Sequence, residues 1–176
     1  AGEHVVHRTT ASADRSIGAE ARRSGVDPAA LAYDRLLEND GRTILYRPLS
    51  NYADGTLETV REMMAHPNTL IGLGDGGAHV SILCDASAMT YGLTHWTRDR
   101  PSGRFPVAWM VRRLTRDNAV ALGLRDRGVI APGLKADLNV IDHGRLTLRA
   151  PNVVYDLPAG GRRLMQRADG YVATVL

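Results

Sequence analysis

Thr69-Leu-Ile-Gly-Leu73 is a short apolar run that empties directly into Gly74-Asp-Gly-Gly-Ala-His79. A run of this length bounded by turn residues reads as a buried strand. The glycines behind it let the backbone turn sharply and let a ligand approach closely. An earlier apolar run, Thr43-Ile-Leu-Tyr46, is followed by a loop from Arg47 to Gly55 with Pro48, Asn51 and Asp54. Between the two runs lies Thr56–His66, where Leu57, Val60, Met63 and Met64 recur at helical spacings. Strand, loop, helix, strand, glycine-rich loop is a βαβ order, which predicts neighbouring parallel strands. Functional groups in such folds gather at the C-terminal ends of the strands. Here those ends are Arg47–Asp54 and Gly74–His79.

Local signals place further elements around this unit. Ile17–Ser24 reads as a helix stopped by Gly25, and Asp27-Pro28 opens another as N-cap and first helical residue. Leu31, Tyr33, Leu36 and Leu37 give that second helix an apolar face, and it ends near Gly41. Ala86–Leu93 reads as helical, Arg98–Gly103 as a loop, and Phe105–Leu122 as one long helix. After Gly123 the texture changes to short strands, at Ala136–Asp142, Arg145–Leu148 and Tyr171–Leu176, with turns at Pro151, Pro158 and Gly160-Gly161. The expected organisation is a flexible segment 1–16, an α/β segment 17–123 and a β-rich segment 124–176. Gly170–Leu176 stops inside a strand-like run, so truncation of a longer protein is expected.

Charge argues against a nucleic-acid partner. The formal net charge is +3, but Lys135 is the only lysine among 22 basic residues, and the arginines are scattered among acidic residues. A dedicated binder shows a basic stripe or interleaved aromatics, and aromatics make up only 5%. No apolar run approaches the roughly 20 residues that span a bilayer, and the N-terminus lacks the pattern of a signal peptide. The lone cysteine, Cys84, forbids an internal disulfide and fits a reducing, cytoplasmic setting.

Asp75 is the leading candidate for chemistry. A carboxylate at a strand mouth can bind a metal or move a proton; the alternative is an Asx-turn or helix cap within its own glycine-rich loop. The stretch Gly72–Gly77 also satisfies G-x-G-x-x-G, which raises a dinucleotide-binding loop as a rival. That fingerprint needs a second strand ending in an acidic residue about 20 positions on, and Thr94-His-Trp-Thr-Arg-Asp99 is no apolar strand. His79, four residues beyond Asp75, could face the same mouth. His95 and Arg98 could belong to a loop covering a substrate, with Arg98 suited to bidentate recognition of a carboxylate or simply a solvated loop charge. His4 and His7 sit in a polar terminal segment, His66 suits a helix end, and His143 beside Gly144 is expected to be exposed. No H-x-H and no zinc-spaced Cys/His pair occurs.

Several segments taken together resemble the amidohydrolase superfamily. They are Asp27-Pro28, His66-Pro67, Gly72-Leu-Gly-Asp-Gly-Gly77, Leu114-Thr-Arg-Asp-Asn-Ala119 and Arg127-Gly-Val-Ile-Ala-Pro-Gly-Leu-Lys-Ala-Asp-Leu-Asn-Val-Ile-Asp142. Within that superfamily, Asp156-Leu-Pro-Ala-Gly-Gly161 and Gln166-Arg-Ala-Asp-Gly-Tyr171 are similar to the N-acyl-D-amino-acid deacylases. The resemblance runs from about Ser16 to the end. It implies the last two βα units of a TIM-type barrel followed by part of a small β-sandwich. It also implies zinc-dependent hydrolysis of an N-acyl-D-amino acid. Asp75 would be metal-bound and proton-transferring; His79, His95 and Arg98, from their own placement in the sequence, are the candidate contacts for the small-molecule substrate. The H-x-H of the family would lie upstream of residue 1, so the chain alone is expected to be inactive. It is also expected to associate with itself or with a missing N-terminal segment. Where more familiar deacylases carry Ser-Asp-Gly, this chain has Gly74-Asp75-Gly76. A hydantoinase- or dihydroorotase-like enzyme is a close variant, and a non-catalytic interaction module a distant one.

Overall fold

Asp27 accepts the backbone N–H of Ala30 at 2.8 Å and Pro28 follows at the first helical position, so a cap and a pre-set φ start a helix where the sequence places one. The computed structural model describes residues 13–47, 50–52, 55–72 and 87–176. These fall into two units, one from Arg8 to Thr69 and one that takes in Leu70–Leu176.

In the first unit, α1 (Ile17–Ser24) is capped by the Ser16 hydroxyl, which accepts from Ala19 N at 3.2 Å, and it ends at Gly25. It packs against α2 (Pro28–Gly41) through buried Ala19 and Ala21, and Arg35 of α2 bridges Glu20 of α1 and Glu38 of its own helix. The last turn of α2 departs from helical geometry at Glu38, Asn39 and Asp40. Helix α3 spans Glu58–Ala65. His66 stands at its end, and its Nδ1 accepts from Asn68 N at 3.2 Å, closing the turn.

The two expected parallel strands are not formed among the described residues. Thr43–Arg47 and Thr69–Gly72 carry no strand, although both runs are apolar. A strand exists only when a neighbour supplies ladder hydrogen bonds. The two runs fall in different units apart from Thr69, and neither joins a ladder among the described residues.

The second unit starts with α4 (Ala88–Thr94), which continues into a π-helical turn (His95–Asp99). The expected single helix over 105–122 is two, α5 (Val107–Leu114) and α6 (Arg116–Ala121). The break is Thr115, at φ −123° and ψ −82°, whose hydroxyl donates to the Val111 carbonyl at 2.7 Å. Such back-bonding to residue i−4 bends helices.

All six described strands follow. They are β1 (Leu138–Ile141), β2 (Thr147–Leu148), β3 (Asn152–Leu157), β4 (Gly161–Met165), β5 (Ala168–Asp169) and β6 (Tyr171–Val175), and they pair antiparallel as β1–β6, β2–β5 and β3–β4. Leu138 faces Val175, Thr147 faces Asp169, and Asn152 faces Met165. The β3–β4 hairpin turns over Pro158–Gly160, where sequence patterning marks only the turn.

The core of this unit lies where α4 meets α5 and β2, around Leu93, Trp96, Phe105, Met110, Leu146 and Leu148. Gly92 faces the Met110 side chain: a Cβ there would stand 3.6 Å from its sulfur, an ordinary van der Waals contact. No described helix is long and apolar enough to cross a membrane.

Candidate active site

Asp75 and His79 lie outside the described residues, as do His4, His7, Cys84 and most of Gly72–Gly77. Ile71 and Gly72 are the last residues described ahead of Asp75. The carbonyl of Ile71 accepts from Asn118 Nδ2 at 2.8 Å, which ties the approach to the glycine-rich segment onto α6.

His95 and Arg98 are both described, three residues apart on the π-helical turn. That turn is closed by Arg100 N donating to the His95 carbonyl at 3.2 Å. The Leu93 carbonyl, at the entry to this turn, accepts from the Thr97 hydroxyl at 2.5 Å and lies 3.0 Å from His143 Nε2. The same nitrogen is 2.9 Å from Thr97 Oγ1. The Thr97 proton is committed to Leu93, so the network assigns the hydrogen to Nε2, which donates to both oxygens. His143 is therefore half-buried and engaged, not exposed as its glycine-flanked turn suggests.

The two candidate substrate contacts do not converge. His95 is 5% exposed and stacked on Tyr91 at 4.7 Å, with the Trp96 ring edge-on at 4.9 Å. Trp96 continues the row to Phe105 and Trp109, with the Arg100 guanidinium 4.6 Å above the Trp96 ring. Arg98 reaches the other way, across to residues 143–146. Its Nη1 donates to the carbonyls of His143 and Gly144, and its Nη2 to that of Leu146 at 2.8 Å. Asp99 takes Nε at 2.6 Å and Nη2 at 3.2 Å.

Every nitrogen of the Arg98 guanidinium is thus in use, clamping the loop that leads into β2. Replacing Arg98 with Ala strips three carbonyls of a charged donor, so a loss of about 2–3 kcal/mol is expected, read from urea unfolding. A substrate-binding Arg98 would instead raise KM at unchanged stability, and that outcome would remove the clamp as its role.

Charge pairs brace the remaining joints. Asp117 holds Arg112 Nε at 3.0 Å and Arg113 Nη1 at 3.5 Å across the α5–α6 break, and the Arg112 hydrogen bond keeps its carboxyl below the ordinary value. Asp126 is lowered to about 2 by hydrogen bonds from Lys135 and Arg127. Arg127 also meets Asp137 at 3.2 Å, so the two ends of the 126–137 loop are cross-tied.

Among the described residues no group of three or more His, Cys, Asp or Glu could hold a metal ion. The described residues therefore do not themselves fit the zinc site that the resemblance implies.

Sequence reasoning gave no role to Thr97 or Asn118 and placed His143 at the surface. Their partners lie 46 to 50 residues away along the chain, and nothing local to any of them signals the contact. No curated protein and no solved structure matches the chain. The model of the amidohydrolase family matches residues 3–176, nearly the whole sequence, and the chain belongs to that family.

Proposed function

We propose that this chain is part of a hydrolase of C–N amide bonds that releases a D-amino acid from its N-acyl derivative, with Asp75 as the proton carrier. What supports the reading is the amidohydrolase match across residues 3–176, which spans the glycine-rich segment carrying Asp75. The deacylase-like segments at Asp156–Gly161 and Gln166–Tyr171 support the narrower substrate class.

Hydrolysis needs two proton movements. The attacking water must lose a proton as its oxygen bonds to the acyl carbon. The departing nitrogen must gain one as the C–N bond breaks, because an amide anion is too basic to leave. One carboxylate can serve both steps, as base and then as acid. The products are a carboxylate and a free amine, and Asp75 is returned ionised. We extend the proposal to a zinc dependence whose ligands lie outside the described residues, and to His79 as a substrate contact. His95 and Arg98 are assigned first to the aromatic row and the loop clamp in which they are found.

The test compares N-acyl-D-amino acids, their L-enantiomers and hydantoins as substrates of the full-length enzyme that carries this chain. Turnover of the D-series, lost on chelation and restored by zinc, is expected, and the 176-residue chain alone is expected to be inactive. Preferential opening of hydantoins would move the assignment to the cyclic-amide hydrolases. Absence of any C–N hydrolysis would end it.

A further inference from the structure

An Asp–Gly pair can rearrange its own backbone. The glycine nitrogen attacks the aspartate Cγ, and no Cβ on the glycine stands in the way. Two such pairs have both residues described, Asp40–Gly41 and Asp169–Gly170. The fold treats them differently.

Asp40–Gly41 ends α2 in a left-handed turn. Asn39 stands at φ 54° and ψ 42°, Asp40 at φ 57° and ψ 39°, and Gly41 at φ 73°. Residues other than glycine visit this region singly and at a cost, so two in succession are strained backbone. The stem of the turn is tied. Arg42 N donates to the Asn39 carbonyl at 3.3 Å, Asn39 Nδ2 to Thr43 Oγ1 at 3.0 Å, and the Thr43 hydroxyl to the Glu38 carbonyl at 3.3 Å. Asp40 and Gly41 form the tip between these ties, and both are exposed. Rotation about ψ of Asp40 brings the Gly41 nitrogen onto the carboxyl. That rotation takes place in water at a strained helix end, where local opening costs least.

Asp169–Gly170 is held on both sides. Asp169 lies in β5 opposite Thr147 of β2, and its carboxylate takes Arg149 Nη2 at 2.6 Å and Nε at 2.8 Å. Gly170 is packed on Leu146, and its carbonyl accepts from Asp142 N at 2.8 Å. Ring closure there must pull the carboxylate off Arg149 and part β5 from β2.

We propose that Asp40 is a site of isoaspartate formation in the folded chain and that Asp169 is protected from it. The Gly41 nitrogen bonds to Cγ of Asp40 in its carboxylic acid form. The nitrogen's proton and the carboxyl hydroxyl leave as water, and a five-membered succinimide remains. Water then adds to one of the two ring carbonyls. Opening at Cγ restores aspartate. Opening at the main-chain carbonyl breaks the original peptide bond and leaves the chain running through Cγ. One water leaves and one enters, so mass is unchanged and nothing is oxidised or reduced. The product lengthens the main chain by one methylene at an exposed tip, which α2 can tolerate without unfolding. The proposal is independent of the hydrolysis argued above.

The test is to age the 176-residue chain in warm neutral buffer, folded and in concentrated urea. Trypsin then releases Leu36–Arg42 and Ala168–Leu176, each with one Asp–Gly pair. The isomers have equal mass and separate by chromatography, and an isoaspartate-specific carboxyl methyltransferase labels only the rearranged form. In the folded chain, Leu36–Arg42 is expected to isomerise within about threefold of its rate in urea, and Ala168–Leu176 at least about tenfold slower than its own, as local stability dictates. Asp40→Glu, whose ring closure needs a six-membered ring, should remove the isomer of unchanged mass from the first peptide. Two peptides that behave alike in the folded chain, both labelled or both clean, overturn the proposal. So does a reversed order, or an equal-mass isomer that persists in Asp40→Glu.

Discussion

Asp75→Asn is expected to lower kcat for amide hydrolysis by about 10²- to 10⁴-fold, the usual worth of a positioned general acid–base, while KM moves by less than about threefold. The two side chains are nearly the same size, so shape and substrate access are kept. The amide cannot take a proton from water near neutral pH and has none to give that a departing amine could use. Both halves of the reaction therefore lose their carrier at once. The substitution also separates the catalytic role from the commonest alternative. An Asp that merely closes its own Asx-turn accepts a backbone N–H through an oxygen that Asn also has, and Asn is as good a turn residue. On that alternative the variant keeps its activity. Steady-state kinetics on the full-length enzyme, with a thermal melt to confirm folding, decides between them; retained kcat leaves the hydrolase without its proton carrier.

What was legible in the sequence was what local chemistry decides. Gly25, Asp27 and Pro28 announce the end of α1 and the start of α2 because caps act over three or four residues, while the Ser16 cap of α1 emerges only in the structure. The strand-like runs at 136–142 and 171–176 become β1 and β6, yet nothing in either says that Leu138 will face Val175. The runs at 43–46 and 69–73 have the composition of buried strands, and the described part of each forms no ladder. Apolar character states a willingness to be buried, and pairing depends on what stands alongside. Thr115 reads as a helical residue until its hydroxyl is seen bonding back to Val111. The family was legible from motifs, and the match over residues 3–176 bears that out. Around the candidate site the same divide holds. Asp75 stands out by its glycines. Asn118 and His143 do not stand out, because each is defined by a partner that only the fold brings near.

Gly170→Ala is expected to destabilise the chain by roughly 2–5 kcal/mol, from a strained backbone conformation together with overpacking. Gly170 lies between β5 and β6 at φ +103°, where an L side chain is strained whatever the space. There is also no space: its Cβ would fall 2.5 Å from Leu146 Cα and 2.7 Å from Leu146 N. Leu146 cannot retreat. Its side chain is fully buried against the helices, and its carbonyl is held by Arg98. On the Gly170 side, the carbonyl accepts from Asp142 N at 2.8 Å, so that backbone is fixed as well. A methyl group here must part β6 from the Asp142–Leu146 loop or push Leu146 out of the core, and either loosens the Arg98 clamp. Gly133→Ala isolates the backbone contribution, because Gly133 has φ +86° and, among the described residues, nothing lies within 4 Å of a Cβ. Its cost should be no more than about 1–2 kcal/mol. Urea midpoints of the two variants, measured side by side, give the difference that the contact with Leu146 accounts for. Equal midpoints would mean that the 142–146 loop yields freely, and the close packing of Gly170 on Leu146 would then have no part in holding the unit together.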